Sequence, residues 1–181
     1  KDWSLSGTPL QTASAELFFD MPADTGQWSA DTSIAAHAPS LPSGLSTWSA
    51  NATLGGNATT VLLKNLRLDS ERVELTAAGS LDSAVHLDTD LRLRDLPLLP
   101  EGSPLSARLK SSLNGHIDQE APSFSGTLSL HATEISGLPK DAEQLLGQEP
   151  KVLADFSISP QSVEIHKAQL DSRTKGTLAG A

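Results

Sequence analysis

An all-β, antiparallel-rich sheet with one dry face and one wet face is what this sequence predicts. The strongest sign lies in residues 85–93, where Val85, Leu87, Leu91 and Leu93 alternate with His86, Asp88, Asp90 and Arg92. A period of two sends successive side chains to opposite faces of a pleated strand. Runs of the same kind recur along the chain, punctuated by Gly, Pro, Asn and Ser clusters that mark turns. A single stretch breaks the rhythm. Residues 139–147, PKDAEQLLG, open on a proline, close on a glycine and hold helix formers between, which predicts one short helix.

Taken in order, Trp3 and Leu5 alternate with polar neighbours until Gly7-Thr8-Pro9 breaks the run. Ala13, Ala15, Leu17 and Phe19 form the next dry set, and Trp28, Ala30, Thr32, Ile34 and Ala36 the one after. Residues 38–44, APSLPSG, read as a loop and a candidate internal boundary, beyond which Trp48, Ala50, Ala52 and Leu54 resume the pattern. Residues 1–60 are thus an Ala/Ser/Thr-rich β segment with a shallow apolar face, continuous with a second segment at 61–181.

In that second segment Val61 and Leu63 are out of phase with Leu66 and Leu68, a one-residue slip that predicts a bulge near Lys64-Asn65. Val73, Leu75 and Ala77 precede a Gly79-Ser80 turn signal, and Pro97 and Pro100 stop the unit that ends in Asp95-Leu96. Leu105, Ala107, Leu109, Leu113 and Ile117 make a long strand, followed by Phe124, Gly126, Leu128 and Leu130. After the helix come Val152, Ala154, Phe156 and Ile158, then Val163 and Ile165. Residues 61–70 and 163–172 share an apolar-x-apolar opening and a Leu-Asp-Ser close, which predicts a repeat of thin strand units that bury their dry faces by stacking.

Composition narrows the function. The chain has 181 residues and 38% apolar residues; its 13 glycines bring the total to about 45%, enough for a thin core. It starts at Lys1 and reads as an internal piece of a longer protein. A net charge of −9 disfavours nucleic acid, and aromatics at 4% with no Tyr disfavour a base- or sugar-stacking platform. There is no Cys for a thiolate site and no apolar run of the length that spans a membrane as a helix. His37, His86, His116, His131 and His166 are dispersed, so no metal is expected. Asp82 and Asp88-Thr89-Asp90 lack the glycine and closing Glu of a calcium loop and read as a solvated acidic face. No Gly-x-Ser-x-Gly elbow or distinct carboxylate pair is present, so no catalytic residue and no cofactor is assigned and an enzyme is not expected. Asn51-Ala52-Thr53 and Asn57-Ala58-Thr59 match a glycosylation acceptor by chance. Alternation alone leaves two readings of the dry face: a closed β-sandwich core in a structural or adhesive module, or an open apolar groove. A carbohydrate-active solenoid is a third class and lacks its acid pair.

The run VELTAAGSLDSAVHLDTDLRLRDLPLL resembles the AsmA-like family in its short strands, Gly-containing turn and closing leucines. ISGLPKDAEQLLGQEPKVLADFSISPQSVEIHKAQLDS is similar to TamB-type segments of that family, with a Leu-Pro, a short helix and a Leu-Leu-Gly unit leading into strands. The resemblance covers roughly residues 60–181. It implies an elongated, curled sheet, U-shaped in section, in a periplasmic bridge protein anchored in the inner membrane of a diderm bacterium. It also implies phospholipid transport between the two membranes and a role in outer-membrane protein assembly with a TamA-like barrel partner of the full-length protein. On that reading phospholipid acyl chains lie against Leu63, Leu75, Val85, Leu87, Leu91, Leu93, Leu105, Leu109, Leu113, Phe124, Leu128, Leu130, Phe156, Ile158, Val163 and Ile165.

Overall fold

The structure is a computed structural model and describes residues 4–5, 8–9, 12–41, 44–97, 103–118, 123–147, 149–172 and 176–180. Two short strands, β1 (Ser4–Leu5) and β2 (Thr8–Pro9), pair only with each other. The remaining strands are β3 (Thr12–Asp20), β4 (Trp28–His37), β5 (Thr47–Gly56), β6 (Val61–Asp69), β7 (Val73–Leu81) and β8 (Ala84–Leu96). They continue as β9 (Leu105–Asp118), β10 (Ser123–Ser136), β11 (Lys151–Ile158), β12 (Val163–Ser172) and β13 (Gly176–Gly180). These eleven lie side by side in chain order, each antiparallel to the next, with β3 and β13 as free edges. Short connections leave an antiparallel neighbour as the simplest partner, and the sheet is an open meander. The loop at 38–44 does not divide it, because β4 pairs β5 and β5 pairs β6 without a break.

Register assigns the two faces, since directly opposed residues project to the same side. On one side Val73, Leu75 and Ala77 oppose Leu93, Leu91 and Thr89, which in turn oppose Ala107, Leu109 and Ser111. On the other side Glu74 and Thr76 oppose Arg92 and Asp90, which oppose Arg108 and Lys110. The extended contacts among the described residues all run between neighbouring strands, so no second sheet faces the apolar side there. The closed sandwich that alternation allowed is not formed here. Among the described residues the buried apolar ones are accordingly five alanines, Ala30, Ala38, Ala77, Ala107 and Ala132, and nothing larger. Stability comes from the ladder and from cross-strand pairs of about 0.2–1 kcal/mol each rather than from a core.

The expected helix is α1 (Lys140–Leu146), inside the β10–β11 connection, begun by Pro139 and stopped by Gly147 at φ 68°. It buries no residue and leaves Leu145 exposed, so it does not roof the apolar face.

The slip read at Lys64-Asn65 is a β-bulge. Asn65 opposes Thr53 and Leu63 opposes Leu54, leaving Lys64 as the extra residue and returning Leu63 and Leu66 to one face. Strand β12 repeats this device: Lys167 opposes Asp155 and Ile165 opposes Phe156, with His166 extra. Lys64 and His166 occupy the same place in the two sequence copies. The preceding turns match as well. Gly56 opposes Val61 and Ile158 opposes Val163, so each hairpin has a four-residue loop. In one, Asn57 Oδ1 accepts from the backbone N–H of Thr59 (2.9 Å) and Thr60 (3.0 Å). In the other, Ser159 Oγ accepts from Gln161 (3.3 Å) and Ser162 (3.1 Å). The two hairpins are structural copies, and Asn57 has a turn-capping job that accounts for the Asn-x-Thr pattern.

Replacing Asn57 with Ala removes both bonds to backbone donors. Urea unfolding should show a loss of about 0.5–1.5 kcal/mol, and the structurally equivalent Ser159→Ala a loss no greater.

Candidate apolar groove

All sixteen residues expected to line a groove project from the apolar face of the sheet, in register across β6 to β12. Thirteen are half-buried by their neighbours, while Ile158, Val163 and Ile165 at the β11–β12 end are exposed, the last two at 70% and 65%. The face is organised in rows that cross the strands. Leu68, Leu75, Leu91 and Leu109 form one row and Leu63, Gly79, Leu87, Leu113 and Leu128 another. Between them run Leu66, Ala77, Thr89, Ser111 and Leu130. Small side chains at Ala77, Thr89 and Ser111 therefore floor a furrow with leucine walls. The two hydroxyls there satisfy one another at 2.7 Å, so they add no unpaired polar group to an oily surface. At about 4.8 Å per strand the eleven-stranded face is about 48 Å long.

The connections after β3, β5, β7, β9 and β11 gather at one end of the strands, termed here the near lip; those after β4, β6, β8, β10 and β12 make the far lip. Close to the near lip the face is concave. Val85, Leu113, Ile117, Phe124, Ile158 and Pro160 border a single hollow of about 760 Å³, with Asp118, Ser123 and Ser159 also lining it. The hollow is an open depression that spans β8 to β11 on the apolar side of the sheet. Glycine makes room for it. Gly115 and Gly126 oppose each other, and a Cβ on either would lie within 3 Å of the Phe124 ring, which lies across the pair. The rings of Phe124 and Phe156 meet at 5.7 Å between centroids and pave the hollow. At the far lip, bulge residues Asp95 (φ 48°) and Glu134 (φ 56°) bend β8 and β10 on either side of β9.

Several lining residues were not singled out from the sequence. Leu66 and Leu68 were masked by the bulge, which put them out of phase with Leu63. Ile117 and Leu54 carry the alternation signal and lie on the same face. Phe19 and Trp28, stacked at 6.3 Å, extend the face into the first segment, where Ala, Ser and Thr dilute the pattern. Leu98 and Leu99 lie outside the described residues.

The opposite face is ionic. Asp90 accepts two bonds from Arg108 Nε at 2.9 and 3.1 Å, and Glu74 joins Arg67 (3.4 Å) and Arg94 (2.8 Å). The Arg108 hydrogen bond holds the Asp90 carboxyl below the ordinary range. His86 sits between Asn114 Oδ1 (2.6 Å) and Asp88 Oδ2 (2.9 Å). The Asn114 hydrogen bond, then the Asp88 charge, raise its pKa. Asp88 and Asp90 are thus engaged in cross-strand and same-strand pairs, and Thr89 between them points to the apolar face.

These features define an open, single-layer antiparallel β-meander with one apolar, locally concave face and one charged face. Comparison with protein families, with curated proteins and with solved structures finds no match.

The His86 contacts make a titration prediction. A pKa raised in the folded state stabilises fully below the unfolded value near 6.5 and ceases to do so as pH rises through the raised value. NMR titration should place His86 above the ordinary histidine value, and Asn114→Ala should bring it down; an unmoved midpoint would refute the assignment.

Proposed function

We propose that this chain is a segment of an AsmA-like periplasmic bridge whose open apolar face carries phospholipid acyl chains between the inner and outer membranes. In the full-length protein, anchored in the inner membrane, this would serve outer-membrane biogenesis and protein assembly alongside a barrel partner. The observation that carries the reading is the uncovered apolar face: among the described residues no second layer opposes it. A contiguous exposed apolar surface on a protein marks a place where something apolar docks. A hydrocarbon tail fits the furrow's chemistry, because each methylene it buries gains about 0.8 kcal/mol without any directional contact. Binding of this kind depends on area and not on a particular side chain. It suits a ligand that must slide, since successive rows of leucine offer nearly equal resting places. Headgroups would remain in water at the open side. No group on this face performs a reaction in the proposal, and the role is carriage, not catalysis.

Phospholipid should co-purify with the chain and be recovered by extraction and mass spectrometry. An arginine at Leu87 or Leu128, in the middle of the furrow wall, should lower photo-crosslinking to acyl chains about ten-fold or more, because the tail would have to desolvate a charge. The circular dichroism of the sheet should stay unchanged. Lipid-free protein that also fails to load from vesicles, or crosslinking that ignores both arginines, would defeat the proposal.

A further inference from the structure

We propose that β3 is a pairing edge, through which two copies of this chain join antiparallel about a two-fold axis at Leu17 into one sheet with a continuous apolar face. The inference goes beyond lipid carriage and does not rest on it. The two edges of the sheet are built differently. Strand β13 is five residues long with a glycine at each end, and so short an edge offers little to a further strand. Strand β3, Thr-Ala-Ser-Ala-Glu-Leu-Phe-Phe-Asp, runs nine residues in unbroken register with β4. It holds no Pro, Lys, Arg or bulge, the usual guards of an edge. Among the described residues its outer ladder is open, since the upstream β1 and β2 pair only with each other.

The side chains of β3 also ask for a neighbour. Where β8 alternates, β3 carries Leu17, Phe18 and Phe19 in succession, 71%, 69% and 61% exposed. Leu17 and Phe19 belong to the apolar face, while Phe18 stands on the other one, opposite Asp31 and in line with Thr53 and Asn65. Consecutive apolar residues mark a strand covered on both faces, and a tail lying in the furrow reaches only one. A strand added at the edge brings neighbours to both at once.

A second copy fits this edge by its charge pattern. A two-fold axis normal to the sheet keeps the two apolar faces on one side, and Leu17, Phe18 and Phe19 all stay within the ladder when the axis passes Glu16, Leu17 or Phe18. Centred on Glu16, the ladder opposes that carboxylate with its own copy; centred on Phe18, it opposes Glu16 with Asp20. Centred on Leu17, it sets Leu17 against Leu17, Ala15 against Phe19, Glu16 against Phe18 and Ser14 against Asp20, so no like charges are directly opposed. At about 150–250 Å² per buried aromatic ring, four phenylalanines supply up to about 1,000 Å². With the leucines the contact reaches about 1,200 Å², the low end of specific interfaces, so the dimer dissociates on dilution.

Sedimentation velocity over about 1–100 μM should show the 19.0 kDa chain in concentration-dependent equilibrium with its dimer. Phe18→Glu, which puts a carboxylate opposite Glu16 of the second copy, should weaken the dimer about ten-fold or more, because the change enters twice. Adding Glu16→Lys should restore it, since the Leu17-centred register opposes these two positions and the other two registers would oppose like charges. The chain has no cysteine, so Leu17→Cys gives a second readout: mild oxidation should link it into a covalent dimer faster than Ala13→Cys. Circular dichroism should be the same throughout, and loading with phosphatidylethanolamine should leave the dimer intact. A chain monomeric at about 100 μM, a dimer indifferent to Phe18→Glu, a double variant as weak as the single, or equal linking at Leu17→Cys and Ala13→Cys overturns the inference. So does a dimer that lipid dissolves, whose contact would be the apolar faces. Lipid carriage stands or falls by its own loading test.

Discussion

A one-layer β-sheet satisfies the backbone of every interior strand and shelters neither of its faces. Everything else in this molecule follows from that constraint. Alternation gathers the leucines, valines and phenylalanines on one side, and among the described residues no second layer of strands and no long helix is set against them. Among the described residues the buried apolar side chains are alanines wedged between larger neighbours, such as Ala77 and Ala107. Sheets usually escape this position by stacking or closing. Here the short helix α1 stays in its connection, and the oily side remains available.

The same constraint explains how the sheet is shaped. With no opposing layer to press on it, curvature has to be built into the strands, by bulges and by glycines. Lys64 and His166 supply one extra residue at equivalent places in two hairpins, and Asp95 and Glu134 bend the neighbours of β9. Gly115 and Gly126 then give up their side-chain volume to the Phe124 ring, which lowers the floor where the hollow forms. The repeated hairpin shows the economy of the design, since a unit with its own turn cap and its own bulge can be added along the sheet without disturbing the rest.

On the charged side, residues that suggested chemistry in isolation are engaged in holding strands together. Asp90 is clamped by Arg108 of β9, Glu74 by two arginines from different strands, and Asp88 pairs within β8 with His86, which itself reaches Asn114 of β9. Asn57 caps a turn. Cross-strand ion pairs add specificity of register to a sheet that has little core to enforce it, because a slip of one residue would turn the leucines to water and a slip of two would set Glu74 opposite Asp90.

By itself the sequence determined most strands, their faces, the short helix and the bulge at Lys64, because each depends on the local period of two or on turn and cap residues a few positions apart; the turn signal at Gly79-Ser80 misled, since both residues pair within β7 and the chain turns at Asp82-Ser83. It also determined that the sixteen large apolar residues share a side, since parity carries from one strand to the next through short turns. The groove was less legible. Leu66 and Leu68 seemed to belong to the wrong face until pairing with β5 and β7 showed two residues opposing one. Whether the dry side meets another sheet, and where Phe124 settles over two glycines from different strands, were decided only in three dimensions. Both depend on contacts between residues far apart in the chain, and the alternation that a core strand and a groove strand share is the same.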